Sequence, residues 1–106
     1  MGLEAPAVTK ILSFSDWNEL LDELVCYGFY LNEYIYIGKT TQLKTRITQH
    51  LVRLESIYHN QGRLFLRDME IHLWYCHMDN LGITENRLIK QHQPKLNRNG
   101  RYYHYV

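Results

Sequence analysis

The sequence lacks the features that mark secreted and membrane proteins. It has only two cysteines, Cys26 and Cys76, and no CxxC pair, so it is not a small domain built on disulfides. No apolar run approaches the roughly 20 residues of a membrane span. The first ten residues contain no basic start followed by an apolar stretch, so we expect no signal peptide. The resulting expectation is a reducing, cytoplasmic location.

The sequence also lacks a strong charge of one sign, because its net charge is only +1. The charges are nevertheless segregated along the chain. Residues 1–26 carry one positive and five negative charges, residues 39–67 carry six positive and one negative, and residues 81–106 carry five positive and one negative. Two basic blocks in an otherwise acidic chain are typical of a face that contacts phosphates, although an ordinary solvated surface would have the same composition.

Several common functional signatures are missing as well. The histidines and cysteines show no zinc-binding spacing, and no GxGxxG motif or serine nucleophile elbow is present. Gly38-Lys39-Thr40 resembles the end of a phosphate-binding P-loop. That motif requires a glycine at position 33, where the chain has Glu33, so the P-loop interpretation is rejected.

What is present indicates one α+β domain over residues 1–106, since 45% of the residues are hydrophobic and no linker interrupts them. Hydrophobic periodicity and turn residues predict five elements in order. They are a helix over 15–25 capped by Ser15, a hairpin over 26–38 that turns at Asn32-Glu33, a helix over 41–58 capped by Thr40 or Thr41 and ended by Asn60-Gln61-Gly62, a strand over 69–78, and a helix over 80–92 ending before Pro94. A short helical piece is expected through Arg67, and the tail from residue 98 is expected to be an edge strand or loose.

Two glycine–tyrosine triplets lie on the predicted hairpin, Gly28-Phe29-Tyr30 and Tyr36-Ile37-Gly38. Taken alone they fit a tyrosine-rich hairpin with packing glycines. On the following helix, Arg46, His50 and Arg53 are spaced i, i+4 and i+7 and therefore share one edge. Such an edge is usually solvated, but beside the tyrosines it could hold a phosphate.

The last predicted helix carries a carboxylate on its apolar face. Glu85 is spaced to meet Leu81, Leu88 and Ile89. Charged side chains are seldom buried without a partner, so Glu85 needs either an arginine or a metal ion. Pro94 and Asn97 follow as turn residues.

In this order the motifs resemble the GIY-YIG nuclease family. The second triplet is intact, the first has Phe29 for the usual aliphatic residue, and GKTTQLKTRITQHL is similar to the family's first-helix signature. The segment ENRLIKQHQPKLN resembles the catalytic domain of the bacterial excision-repair incision nuclease. The resemblance covers about residues 27–98. It implies a small three-stranded antiparallel sheet flanked by helices, to which this chain would add its N-terminal helix.

The resemblance also implies a metal-dependent DNA endonuclease with one Mg²⁺, or alternatively Mn²⁺, held by Glu85 and water. Arg46 would stabilise charge on the phosphate, Tyr30 or Tyr36 would act as the base or orient the water, with Tyr30 favoured, and Asn97 would brace the site. The implied catalytic residues are Tyr30, Tyr36, Arg46, His50 and Asn97, and the implied contacts to flanking phosphates are Lys39, Lys44, Arg53 and Lys90.

The implied partner is DNA, with RNA left open and no membrane expected. Specificity would come from a second copy of the chain or from another protein. Two other interpretations stay open, a non-catalytic nucleic-acid-binding module of the same fold and a protein-interaction domain. A steep salt dependence of DNA binding would separate these two.

Overall fold

The computed structural model describes residues 7–58 and 68–99, which form an α+β fold. The strands are β1 (Lys10–Ser13), β2 (Val25–Tyr30), β3 (Tyr34–Thr40) and β4 (Glu70–Tyr75). The helices are α1 (Leu43–Tyr58), α2 (Leu81–His92) and α3 (Lys95–Asn99), with 3-10 turns at Phe14–Glu19 and Met78–Asn80. Within the described ranges, no helix is long and apolar enough to cross a membrane.

The sheet has four antiparallel strands in the order β1-β4-β2-β3, rather than the three strands expected. The additional strand is β1, whose Lys10 lies opposite Leu73 of β4. Within the described ranges β3 is an outer strand, and both faces of the sheet end along it. Helix α1 covers one face, here called the α1 face, and helix α2 covers the other, the α2 face.

The helix predicted over residues 15–25 is wrong. A short 3-10 helix ends at Glu19, Leu20 is extended (φ −69°, ψ 151°), and Val25 already belongs to β2. Tertiary contacts override the helical spacing, because the Asp22 carboxylate accepts hydrogen bonds from the backbone N–H of Thr45 (2.9 Å) and from its hydroxyl (3.1 Å). The segment therefore stabilises the first turn of α1 instead of forming a helix of its own.

The other predicted elements that fall within the described residues are confirmed within a few positions. The hairpin turns at Asn32, whose φ of 65° suits an asparagine, and Thr40 Oγ1 accepts the N–H of Gln42 (2.9 Å) just before α1. Helix α2 ends at His92, and Gln93 then takes the left-handed conformation (φ 47°) ahead of Pro94. Helix α3 was not predicted: it contains Asn97, which was expected in a turn, and residues 98 and 99, which were expected to begin a loose tail or edge strand. The predictions for Asn60-Gln61-Gly62, for the piece ending at Arg67 and for the rest of the tail lie outside the described residues.

Candidate active site

Two tyrosines and a histidine pack together on the α1 face. Tyr27 Oη and His50 Nε2 are hydrogen-bonded at 2.5 Å, and the ring centroids of Tyr36 and His50 lie 5.1 Å apart. All three side chains are buried, with exposed fractions of 1% for Tyr27, 4% for Tyr36 and 1% for His50. Helix α1 thus points His50 into the core, between strand residues of β2 and β3, rather than along a solvated edge.

Gly38 is required by the close approach of these rings. It lies opposite Tyr27 in the β2–β3 ladder, and the Tyr27 ring crosses directly over it. A Cβ at position 38 would lie 2.7 Å from Tyr27 Oη and 2.9 Å from Tyr36 Cε2, closer than carbon atoms tolerate. The glycine of the second triplet therefore creates the space that lets the two tyrosines and the histidine meet.

Arg46 lies one helical turn before His50, on the same side of α1. Its side chain is half-buried, and its guanidinium makes no ion pair or hydrogen bond with any other residue of the described part of the chain. A half-buried guanidinium beside a tyrosine–histidine cluster presents planar donors to an anion. The geometry of this face therefore suits a phosphate group.

The carboxylate of Glu85 lies on the α2 face. Lys39 Nζ lies 3.4 Å from Glu85 Oε1, where the Glu85 side chain is 14% exposed and the Lys39 side chain is 47% exposed. The side chain that pairs with Glu85 is therefore a lysine on β3, and not the arginine that was one of the two expected partners. Burial, followed by the neighbouring Cys76 and Glu85, raises the pKa of the Cys26 thiol to about 12, so Cys26 is an uncharged part of the core beside the acid.

The donors around Glu85 fit a hydrated hard cation better than a fully caged metal. No group of three or more His, Cys, Asp or Glu side chains is placed to hold a metal ion within residues 7–58 and 68–99. Mg²⁺ keeps most of its water and needs only one or two carboxylates, so a single shielded acid at an accessible sheet edge matches its chemistry.

Asn97 closes the outer edge of β3. Its Oδ1 accepts the N–H of Ile37 (2.9 Å), and its Nδ2 donates to the carbonyl of Ile37 (3.0 Å). The amide thereby satisfies both outward backbone groups of that residue, as a neighbouring strand would. It fixes β3 immediately before Gly38 and Lys39, the two residues around which the other groups assemble.

Tyr30 does not join the cluster on the α1 face. Its ring stacks on His72 at 4.8 Å and contacts Tyr34 at 5.0 Å, both on the α2 face. His72 is held there by hydrogen bonds to Tyr34 Oη (2.7 Å) and Glu70 Oε1 (2.9 Å). The structure thus separates Tyr30 from Tyr36, His50 and Arg46, with which the sequence analysis had grouped it.

Tyr27 belongs to the cluster on the α1 face although neither of the two triplets contains it. A bulge explains why, because Tyr30 pairs with Tyr34 while Phe29 pairs with Tyr36, which leaves Ile35 as an extra residue in β3. In a regular hairpin through the same turn, Tyr30 and Tyr36 would share a face. The extra residue places Tyr36 with Tyr27 and Phe29 instead.

The basic residues expected at flanking phosphates are distributed over both helices. Lys44 is exposed on α1 and donates to the carbonyl of Asn18 (3.0 Å), and Lys90 is exposed on α2. Arg53 belongs to α1, but its side chain lies outside the described part of the structure. Lys39 differs from these because it is engaged by Glu85.

Comparison with known proteins identifies the family to which the chain is related. The family model of the UvrC-like GIY-YIG domain matches residues 26–98. Two crystal structures of the GIY-YIG N-terminal endonuclease domain of UvrC from Thermotoga maritima, each a point mutant bound to its catalytic divalent cation, match with a TM-score of 0.59. Their identities are 25% and 24%, and each match covers 76% of this chain and 89% of the solved chain.

No curated protein matches the chain significantly. The family match nevertheless spans well over half of the 106 residues, and it extends from β2 to α3. The resemblance inferred from the two triplets, the helix signature and the Glu85 segment together is confirmed, and the chain belongs to the UvrC-like GIY-YIG domain family.

Proposed function

We propose that the chain is a metal-dependent endonuclease that hydrolyses DNA phosphodiester bonds. The observation that carries this proposal is that the tyrosine–histidine cluster and the Glu85 carboxylate lie at adjacent residues of β3, one on each face of the sheet. The Tyr27–His50 pair lies over Gly38 on the α1 face, and Glu85 is held at Lys39 on the α2 face. Adjacent residues of a strand point to opposite faces, so a nucleic-acid strand that lies across this outer edge would have groups from both faces beside it.

On the α1 face, Tyr27 takes the role that the sequence analysis gave to Tyr30. A tyrosine hydroxyl titrates near pH 10 and is a poor base while it keeps its proton. In the tautomer with Nδ1 protonated, Tyr27 Oη donates its hydrogen bond to His50 Nε2. As water attacks the phosphate, the phenol oxygen would take a proton from the water while the phenol proton passes to the imidazole, so His50 ends as the cation. Tyr36 lies against the same imidazole and orients the water.

Arg46 neutralises the charge that develops on the phosphate oxygens during attack. Glu85 is the carboxylate that would hold the divalent ion, Mg²⁺ or Mn²⁺. When bound there, the ion supplies a Lewis acid for the leaving oxygen. Asn97 keeps β3 in place between the two faces through its bonds to Ile37.

Flanking phosphates would contact Lys44, Arg53 and Lys90, which position the strand without reading its sequence. Specificity would come from a second copy of the chain or from a protein partner. The cytoplasmic location stays a prediction, and residues 1–106 are proposed to act as one catalytic domain.

The decisive experiment is incubation of the full chain with supercoiled plasmid, branched DNA and a matched RNA in Mg²⁺ or Mn²⁺, with EDTA as the control. Nicking of DNA that needs the metal and disappears in Glu85→Gln is expected. Metal-independent nicking, or nicking that survives the substitution, would exclude Glu85 as the metal ligand.

One observation favours the alternative of a non-catalytic nucleic-acid-binding module. The Lys39–Glu85 ion pair satisfies the carboxylate without any metal. A binder of this kind would retain DNA with a steep salt dependence in every variant and would cleave no substrate in any metal. The same plasmid experiment, combined with binding curves at several salt concentrations, separates the two functions.

A further inference from the structure

The Lys39–Glu85 pair has the geometry of an exchangeable contact. Its 3.4 Å separation exceeds the 2.7–2.9 Å of a strong charged hydrogen bond. The Lys39 side chain is 47% exposed, so water screens the attraction and the flexible stem can move. The pair therefore holds the lysine only weakly.

The position of the lysine is also unfavourable without the acid. A Cβ added to Gly82, in the first turn of α2, would lie 3.8 Å from Lys39 Nζ, so the ammonium lies over the beginning of that helix. The beginning of a helix carries a partial positive charge and repels cations. Glu85 is the feature on the described α2 surface that offsets this repulsion.

We propose that Lys39 and the divalent cation compete for Glu85, so that metal binding releases the Lys39 ammonium to a phosphate of the bound nucleic acid. This inference rests on the proposed function, because it takes Glu85 as the metal ligand. Once a divalent ion is bound to the Glu85 carboxylate, the ion and the Lys39 ammonium repel each other, and the positive end of the helix repels both. The flexible lysine side chain is the group that moves away.

The exchange makes binding of the metal and binding of the substrate reciprocal. Lys39 is next to Gly38 at the outer edge of β3, where the phosphate is expected, so its released ammonium gains a second anion close to the first. Linkage then requires that each ligand improves the affinity for the other by the same factor. Without metal, Lys39 is paired with Glu85 and does not contact the phosphate, so phosphate binding would be weak. With a divalent ion on Glu85, Lys39 is free to bind the phosphate and the affinity would rise.

The test is calorimetric titration of the full chain with Mn²⁺ alone. The wild type is compared with Lys39→Met, Lys39→Gln, Glu85→Gln and Lys10→Met. Lys10 is exposed on β1 at the opposite edge of the sheet, so its substitution removes the same charge without touching the pair. Both Lys39 variants are expected to bind Mn²⁺ about two- to fivefold more tightly than the wild type, which is the strength of a screened ion pair. Lys10→Met should match the wild type.

A second readout uses the melting temperature, which Mn²⁺ should raise more in the Lys39 variants than in the wild type. Equal or weaker Mn²⁺ binding by both Lys39 variants, with binding lost in Glu85→Gln, would overturn the competition and leave the metal site intact. Unchanged Mn²⁺ binding in Glu85→Gln would instead overturn the metal assignment of the proposed function, and the competition with it.

Discussion

Replacing Tyr27 with phenylalanine removes one hydroxyl from a buried pair and leaves the ring in place. Tyr27 and His50 are each 1% exposed, so bulk water does not surround His50 Nε2 and the lost bond is not readily replaced. An unsatisfied buried polar group costs about 1–3 kcal/mol. At roughly 4–8 °C per kcal/mol for a domain of this size, the melting temperature should fall measurably while the protein stays folded.

Cleavage should fall much further than stability. If the Tyr27 hydroxyl receives the proton of the attacking water, its loss should reduce the rate by about 10²–10⁴-fold. DNA binding should change little, because the phenol carries no charge. The assay is nicking of supercoiled plasmid at a temperature well below the melting point of the variant, with binding followed on the same sample.

Tyr30→Phe is the matched control, because it makes the same chemical change three residues away on the opposite face. The Tyr30 hydroxyl forms no hydrogen bond with another described residue, and its ring would remain stacked on His72. Stability should therefore stay within about 0.5 kcal/mol, and cleavage should stay near the wild-type rate. Loss of cleavage in Tyr30→Phe with normal cleavage in Tyr27→Phe would refute the assignment based on the strand register.

Four further substitutions probe the rest of the site. Glu85→Gln should abolish cleavage but change stability by only about 0–1 kcal/mol, because Lys39 is half exposed and can return to water; a large drop in melting temperature would mark Glu85 as a structural residue. Arg46→Ala should abolish cleavage, whereas Arg53→Ala should mainly weaken DNA binding and lower its salt slope by about 1; equal, mild effects on cleavage would contradict the catalytic role of Arg46. Asn97→Ala removes two hydrogen bonds to the backbone of Ile37, each contributing about 0.5–1.5 kcal/mol to stability. It should lower both the cleavage rate and the melting temperature. Normal values of both would show that Asn97 is not needed to hold β3 in place.

Much of the fold follows from sequence patterns because the main elements bury regular stripes. Helices α1 and α2 have apolar residues at helical spacing. In β4, Ile71 and Leu73 alternate in sequence and are fully buried on the α1 face, and His72 and Trp74 are buried on the other face. The turn at Asn32 and the end of α2 before Pro94 follow from backbone preferences that act locally. These features need no knowledge of distant contacts.

The N-terminal segment shows what local patterns miss. Its leucines have helical spacing, yet Leu21 is 69% exposed while Leu20 is 4% exposed. The segment is held by a distant partner, since the Asp22 carboxylate binds the Thr45 N–H and the Glu23 carbonyl accepts the N–H of Leu43. A weak local preference loses to such tertiary bonds, and neither they nor the pairing of β1 with β4 can be read from spacing.

The sequence predicts which helices carry part of the candidate site, but not the arrangement of its strand residues. Arg46, His50 and Glu85 occur on the expected helices, and Gly38 is needed where Tyr27 crosses it. Which tyrosine meets the histidine is decided by one extra residue, Ile35, because strand side chains alternate and a shift of one position exchanges the two faces. Ile35 is only 5% exposed, so burial of its side chain in the α1-face core offsets the pairing that the bulge interrupts. The bulge thus links core packing to chemistry, because the residue that fills the core is also the one that places Tyr36 beside His50.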